Sequence, residues 1–222
     1  MMLADMMPKI TTIEKPTPIL LAAGMSQRMG GFNKLLLPIN GVPMVRHMAL
    51  TLVAFADVPP VVVLGHEATQ VAAVLDGIAL TIITNAQYQS GQMSSVTAGL
   101  IAAGEAVGYM ICLADLPLLT AADCAALFAA HKKAGIGQIT VPVQREDGKL
   151  ARRGNPIIMP ASARQKIIKG ETNLGCQGLL NNHPDLIYPF DSCAKGFYVD
   201  IDTQDAFRDT AGQMPYARMI TS

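Results

Sequence analysis

The sequence lacks tryptophan, and only 5% of its residues are aromatic. It also lacks an excess of charge of either sign, because seventeen lysines and arginines balance seventeen aspartates and glutamates. A chain without a net positive field has no general attraction for nucleic acid or anionic lipid. We therefore expect no nucleic-acid partner and no membrane partner, and any phosphate binding must be local.

Cysteine and long apolar runs are scarce as well. The four cysteines form no CxxC pair and lie far apart, at Cys112, Cys124, Cys176 and Cys193. This spacing argues against a zinc site and against a secreted disulfide framework. No apolar stretch approaches the ~20 residues that cross a bilayer. We expect reduced thiols and a cytoplasmic protein.

Half of the 222 residues are nevertheless hydrophobic, enough for the core of one large domain. The first seventeen residues carry charges and lack the apolar core of a signal peptide. We therefore predict a loose leader over residues 1–17 and a single domain over residues 18–222.

Short apolar runs of strand length alternate with stretches of helical periodicity. The runs are TPILLAA, PPVVVLG, LTIIT, YMICLAD and QITVPV, and their continuous hydrophobicity is typical of strands covered on both faces. The stretches between them are PMVRHMALTLVAFA, EATQVAAVLDG, QMSSVTAGLIAAG and TAADCAALFAAHKKAG. This alternation predicts a three-layer α/β/α, Rossmann-like fold with a mostly parallel sheet. Beyond residue 143 the alternation breaks, and FYVDIDT is expected to be a late strand.

The segment after the first predicted strand, LLAAGMSQRMGGFNK, combines glycines with two cations. Ligands of such sheets bind beyond the carboxyl ends of the strands. Gly24 permits a tight turn with exposed backbone N–H groups, while Arg28 and Lys34 supply positive charge. The spacing is neither GxGxxG nor GxxxxGK[ST]. A polyphosphate-binding loop and an ordinary loop both fit these residues.

Three aspartates are candidate metal ligands. Asp115 directly follows the strand YMICLA, as a ligand of Mg²⁺ would. Alternatively, Asp115 caps the next helix, but Thr120 is better placed for that. Asp200 and Asp202 lie on the same face of the predicted late strand, because successive side chains of a strand point to opposite faces. Two carboxylates side by side favour a bound cation. Alternatively, Asp202 begins the last helix. We predict that Asp115 and Asp202 share one Mg²⁺, with Asp200 a weaker candidate.

The helix predicted from QMSSVTAGL places Gly91, Ser94 and Ser95 among free backbone N–H groups at its N-terminus. Serine is also a common capping residue, so capping explains much of this pattern. Asn85, which follows the third strand, is a further candidate for a polar contact with a ligand. The four histidines have no metal-ligand partner at a useful spacing, and we expect surface or helix positions for them.

Five blocks of the sequence, in order, resemble the nucleotidyltransferases of molybdenum cofactor synthesis. LAAGMSQRMGGFNKLLLPINGVPMVRH is similar to the family signature, and the later blocks resemble its cytidylyltransferase branch: NAQYQSGQMSSVTAGL, CLADLPLLT, RRGNPIIMP and VDIDTQDAF. Together they span residues 18 to 207. The resemblance implies transfer of CMP from CTP to the terminal phosphate of molybdenum-molybdopterin, with release of pyrophosphate, and a molybdenum hydroxylase as recipient.

The resemblance also implies roles for individual residues. Those expected in catalysis are Arg28, Lys34 and Asp115. The expected nucleotide-binding residues are Leu21, Ala22, Ala23, Gly24, Arg28, Lys34, Asn85, Gly91, Ser94 and Ser95. The expected metal ligands are Asp115, Asp202 and Asp200, with Mg²⁺ as the cofactor. Ala22-Ala23-Gly24 points to CTP, since the guanylyl enzymes typically carry Leu-Ala-Gly-Gly here.

One block departs from the family pattern. GETNLGCQGLL stands where members usually show a GDxGAR-like sequence, with Glu171 displaced and Gln177 in place of an arginine. This departure leaves the acceptor open, so that a sugar phosphate or an isoprenoid precursor is an alternative. A non-catalytic carrier of molybdenum cofactor is another, although a carrier would not need Arg28, Lys34, Asp115 and Asp202 together.

Overall fold

A computed structural model describes residues 14–26, 32–135, 137–170, 184–203 and 206–207. Its strands are β1 (Thr17–Ala22), β2 (Pro38–Ile39), β3 (Val42–Pro43), β4 (Val61–Leu64), β5 (Thr81–Thr84), β6 (Gly108–Leu113), β7 (Ile139–Glu146), β8 (Lys149–Arg153), β9 (Ile157–Pro160) and β10 (Ile187–Asp191). The α-helices are α1 (Met44–Phe55), α2 (Ala68–Val74), α3 (Gln92–Ala103), α4 (Ala121–His131) and α5 (Ala163–Ile168). Within these ranges no helix is long and apolar enough to cross a bilayer.

The main sheet has the strand order β10-β7-β9-β6-β1-β4-β5, with β8 paired to β7. β1 lies parallel to both β4 and β6, β4 is parallel to β5, and β10 is parallel to β7. Among the described strands of this main sheet, only β9 and β8 run antiparallel to their neighbours, and β2 and β3 form a separate antiparallel pair. The predicted α/β fold with a mostly parallel sheet is confirmed, and β1 lies near its centre.

Alternating side chains of the central strands face opposite helical layers. Leu20 of β1 and Met110 of β6 belong to the buried cluster on the α1 and α4 side. Ile19 and Tyr109 belong to the cluster on the α3 side. Because both faces are covered, the central strands are continuously apolar in sequence. This packing gives the three layers.

Two local predictions are wrong. LTIIT was expected to be covered on both faces, but β5 is an edge strand and Ile82 is 40% exposed. FYVDIDT was expected to be a strand, but Lys195–Phe197 forms a 3₁₀ turn and the described residues after it join no sheet. The late strand of this sheet is β10, which pairs with β7, and Ile201 donates its N–H to the carbonyl of Asp115 beyond the end of β6.

The predicted leader falls largely outside the described residues. Residues 1–13 are not among them. Lys15 forms an ion pair of 2.8 Å with Asp57, and Thr17 is already the first residue of β1. The division into a leader and one domain stays a prediction.

Candidate functional site

A cavity of about 480 Å³ lies at the carboxyl ends of β1 and β6. The strands that flank β1 are parallel to it, so their following loops meet at this edge of the sheet. Several of the predicted site residues line this cavity: Leu21, Ala23, Gly24, Lys34, Ser95, Asp115, Asp200 and Asp202. Arg28 lies outside the described residues, and its predicted role stays a prediction.

Lys34 lies between two of the predicted metal ligands. Its Nζ is 2.6 Å from Oδ2 of Asp115 and 2.8 Å from Oδ1 of Asp202. The backbone around Lys34 is fixed locally, because the side chain of Asn33 accepts a hydrogen bond from the N–H of Leu35 and caps the 3₁₀ turn Lys34–Leu36. The N–H of Lys34 also donates to Oγ of Ser26. Residues distant in sequence therefore form one charged centre.

Burial makes this centre electrostatically strong. The side chains of Lys34, Asp115 and Asp202 are 12%, 17% and 31% exposed. Burial by itself lowers the pKa of Lys34, but the two carboxylates together raise that pKa above its ordinary value. The ammonium therefore stays protonated at neutral pH. It compensates two carboxylates that would otherwise repel each other.

The same carboxylates fit a divalent cation. Oδ1 of Asp115 is buried and has no hydrogen-bond partner, which leaves a buried acceptor oxygen without a donor. No group of three or more histidine, cysteine, aspartate or glutamate side chains suited to a metal occurs in the described parts of the chain. Mg²⁺ is commonly bound by one or two carboxylates, with phosphate oxygens and water completing its shell. Asp115 and Asp202 match that donor set.

Asp200 has a different environment. It lines the cavity, but its Oδ1 lies 3.4 Å from Nη2 of Arg152 and both side chains are about half exposed. Ile201, between the two aspartates, is fully buried and donates its N–H to the carbonyl of Asp115. That bond joins the segment carrying Asp202 to the loop carrying Asp115. A metal role for Asp200 stays a prediction.

The loop after β1 closes the cavity from another side. A Cβ added at Gly24 would meet no atom within 4 Å, so this glycine faces open space. A Cβ added at Gly65, after β4, would lie 2.7 Å from Cβ of Tyr88 and 2.8 Å from Cβ of Ala23. Gly65 thus allows Tyr88 to approach the loop after β1. Leu21 and Ala22 are the last residues of β1 and are buried, which fixes the start of that loop.

Sequence reasoning missed Tyr88 and Gln92, which both line the cavity. Tyr88 lies three residues before Gly91 and Gln92 directly after it. Gly91 precedes α3 and has a φ of 113°. The block NAQYQSGQMSSVTAGL contains this aromatic residue and this amide close to the glycine, so the sequence could have indicated them. The serines of the block are explained by helix capping, and the prediction was limited to the helix N-terminus.

Asn85 is buried and acts within the protein. Its amide nitrogen lies 2.8 Å from Oγ of Ser94 and 3.1 Å from Oγ of Ser95, and its Oδ1 accepts from the N–H of Gln87. Ser95 lines the cavity, whereas Asn85 is not among the lining residues. Direct contact between Asn85 and a nucleotide stays a prediction.

His47 lies behind the aspartate loop. Its Nε2 is 3.0 Å from the carbonyl oxygen of Pro117. Burial lowers the pKa of His47, and the bond to Pro117 raises it by less, so that the pKa lies below its ordinary value. A neutral His47 on α1 therefore supports the loop that carries Asp115.

The chain is similar in sequence and in fold to known proteins. The chain is 29% identical over 190 residues to nicotine blue oxidoreductase of Paenarthrobacter nicotinovorans, covering 84% of this chain and 92% of that protein. Its fold is similar to that of CMP:2-keto-3-deoxy-manno-octonic acid synthetase complexed with CTP, with a TM-score of 0.74, 13% identity and 89% and 97% of the two chains covered. It is also similar to Rv0371C of Mycobacterium tuberculosis H37Rv in complex with manganese, with a TM-score of 0.66, 19% identity and 90% and 100% covered.

Those structural similarities establish a nucleotidyltransferase-like fold. A family profile goes further, because it matches residues 18–186, which include β1, the Lys34 turn and the Asp115 loop. The matched range covers most of the chain and the cavity-lining residues from Leu21 to Asp115, whereas Asp200 and Asp202 lie beyond it. On that evidence the chain belongs to the family described as the MobA-like NTP transferase domain.

Proposed function

We propose that this protein transfers CMP from CTP to the terminal phosphate of molybdenum-molybdopterin and releases pyrophosphate. The observation that carries the proposal is the pair of ion contacts from Lys34 to Asp115 and Asp202, 2.6 and 2.8 Å long, inside a cavity bordered by Gly24. A nucleotidyl transfer needs a held triphosphate and compensation for the charge that develops on pyrophosphate. Gly24 and Lys34, which line the cavity, are suited to these two tasks in turn.

Each of these residues contributes to a different part of the reaction. Backbone N–H groups of the loop at Gly24 bind phosphate oxygens, with Arg28 as a proposed further cation. Lys34 contributes a permanent positive charge to the leaving pyrophosphate. An oxygen of the acceptor phosphate attacks the α-phosphorus, and the bond from that phosphorus to the bridging oxygen of the pyrophosphate breaks. The acceptor oxygen is already anionic, so that no strong general base is required.

Asp115 and Asp202 are the residues that would hold Mg²⁺. Bound there, the ion would neutralise phosphate charge and make the α-phosphorus more electrophilic. The unpartnered Oδ1 of Asp115 supports this role, since nothing else in the described structure satisfies it. The manganese complex of Rv0371C is consistent with a divalent cation in this fold.

The preference for CTP rests on Ala22-Ala23-Gly24. The similarity in fold to a synthetase complexed with CTP is consistent with a pyrimidine nucleotide. The block from Glu171 to Gln177, which departs from the family pattern, lies outside the described residues. Sugar-phosphate or isoprenoid acceptors would use the same nucleotide chemistry, and a molybdenum hydroxylase is the proposed recipient of the product.

One observation favours a second candidate. The relative that covers 84% of the chain is named an oxidoreductase, and a dinucleotide coenzyme also carries phosphates that the Gly24 loop would accommodate. That activity would oxidise NADH or NADPH without releasing pyrophosphate. A reductase has no need for the converging carboxylates of Asp115 and Asp202, and for this reason we favour transfer.

The direct test supplies purified protein with Mg²⁺, molybdenum-molybdopterin and each ribonucleoside triphosphate in turn, and follows pyrophosphate release. We expect release with CTP exceeding release with GTP. Faster turnover with GTP would reject the nucleotide assignment. No pyrophosphate with any triphosphate, together with oxidation of a nicotinamide coenzyme, would reject transfer altogether and favour the second candidate.

A further inference from the structure

The orientation of the Asn85 side-chain amide is fixed by the backbone. Asn85 is 7% exposed, and the N–H of Gln87 lies 2.9 Å from its Oδ1. A backbone N–H only donates, so the atom it faces must be the amide oxygen. The other terminal atom of Asn85 is therefore the NH₂ group.

That NH₂ group determines the hydrogen-bond direction of two serines. It lies 2.8 Å from Oγ of Ser94 and 3.1 Å from Oγ of Ser95. An amide nitrogen only donates, so both hydroxyl oxygens accept from it and each hydroxyl proton turns elsewhere. For Ser94 there are two backbone acceptors, the carbonyls of Gln87 at 2.9 Å and Gly91 at 2.8 Å.

Ser95 has no such acceptor. Its side chain is buried at 3% exposure, lines the cavity, and makes its hydrogen bond with Asn85 as acceptor. In the described part of the chain no carbonyl or carboxylate takes its proton. A buried donor without an acceptor is costly, and the cavity is the direction from which a ligand oxygen can satisfy it.

We propose that Asn85 is a positioning residue that holds the Ser95 hydroxyl as a hydrogen-bond donor into the cavity, toward an acceptor oxygen on the base or ribose of the bound nucleotide. The inference rests on the proposed function, because it assumes a nucleotide in this cavity. It assigns Asn85 an indirect role in place of direct contact. Asn85 occupies one acceptor lone pair of the Ser95 hydroxyl, which directs the hydroxyl proton away from Asn85 and toward a ligand acceptor.

The substitution Asn85→Asp tests this inference with little change of shape. The carboxylate still accepts from the N–H of Gln87, but its second oxygen replaces a donor with an acceptor. Ser95 must then donate to residue 85, and its proton is lost to the cavity. The loss of one neutral hydrogen bond predicts CTP binding weaker by about tenfold.

The added negative charge needs its own control. Inorganic tripolyphosphate engages the phosphate loop and has no base or ribose, so it reports on charge repulsion and on general distortion. We expect calorimetric titration to show Asn85→Asp binding tripolyphosphate within about twofold of the unsubstituted protein, while CTP weakens about tenfold. In a Ser95→Ala background the effect of Asn85→Asp on CTP should vanish, since the two changes remove the same bond. Ser90→Ala is the matched variant, because Ser90 is an exposed serine that donates to the carbonyl of Gln87 and does not line the cavity, and it should retain CTP affinity.

The possible results separate this inference from the proposed function. Unchanged CTP affinity in Asn85→Asp, equal losses for both ligands, or an undiminished loss in the Ser95→Ala background would each overturn the positioning role. If Asn85→Asp does not fold, Ser95→Ala alone decides, because unchanged CTP affinity in that variant contradicts the donor. An unsubstituted protein that binds tripolyphosphate and no CTP would instead overturn the proposed function.

Discussion

Nζ of Lys34 lies 2.6 Å from Oδ2 of Asp115, although the two residues are 81 positions apart in the chain. The same ammonium reaches Asp202 at 2.8 Å. Lys34 therefore compensates the charge of the two carboxylates proposed to hold the metal. Removing this cation leaves two largely buried carboxylates facing each other, and that consequence is measurable without any substrate.

Lys34→Met should reduce the free energy of unfolding by about 3 kcal/mol, in the range for breaking one side of a buried ion pair. Adding Mg²⁺ should raise the Tm of this variant more than that of the unsubstituted protein, because a cation then replaces the ammonium. Differential scanning calorimetry measures both. Lys15→Met is the control, since its 2.8 Å pair with Asp57 lies at the surface and should be worth under about 1 kcal/mol. Equal Mg²⁺ shifts in all three proteins would argue against a metal at these carboxylates.

Asp115→Asn and Asp202→Asn should each lower kcat by at least ~10²-fold, comparable to the loss of one preorganised electrostatic group. The double variant should lose less than the product of the two single losses, because both carboxylates serve one ion. Asp200→Asn is the matched comparison, since Asp200 pairs with Arg152 at the cavity edge. Steady-state pyrophosphate release gives the rates. A loss in Asp200→Asn as large as the others would require three ligands.

Substitution by alanine should affect ligand binding at Gly24 and the stability of the fold at Gly65. At Gly24 the new methyl group meets no protein atom, so the Tm should hold while triphosphate binding weakens because the ligand's space is reduced. At Gly65 the methyl would lie 2.7 Å from Cβ of Tyr88, an overpacking that costs about 1–3 kcal/mol. Thermal melts and tripolyphosphate titration separate the two effects. Tighter tripolyphosphate binding by Gly24→Ala would contradict a phosphate role for this loop.

His47 should make the fold sensitive to mild acid. Its folded-state pKa is lowered from 6.5, chiefly by burial, so the unfolded chain binds this proton more readily. Stability from the neutral ring is then complete above pH ~6.5 and is lost as the pH falls through the lowered pKa. His131 is half-buried, and burial also lowers its pKa, so it acts in the same direction.

Melting curves between pH 8 and 5 provide the measurement. His47→Asn should reduce the acid slope, and the residual slope should come in part from His131. An acid slope identical in His47→Asn and in the unsubstituted protein would show that His47 titrates normally in the fold.

Much of the fold follows from the sequence, because strands covered on both faces and helices with one apolar face leave distinct patterns. Ile82 breaks the rule, since an apolar run reads alike at the centre and at the edge of a sheet. The segment around Asp200 was mistaken for a strand because alternation says nothing about which neighbour is available for pairing. The ion pairs from Lys34 to two aspartates depend on long-range packing, and they cannot be predicted from the local spacing of residues.

The central claim is that the Lys34, Asp115 and Asp202 centre performs nucleotidyl transfer. The most direct measurement is the rate of pyrophosphate release from CTP, with Mg²⁺ and molybdenum-molybdopterin present, by the unsubstituted protein and by Asp115→Asn at equal concentration. We predict acceptor-dependent release by the former and at least ~10²-fold slower release by the latter, with both proteins folded. Equal rates in the two proteins, or no release by the unsubstituted one, would contradict the account.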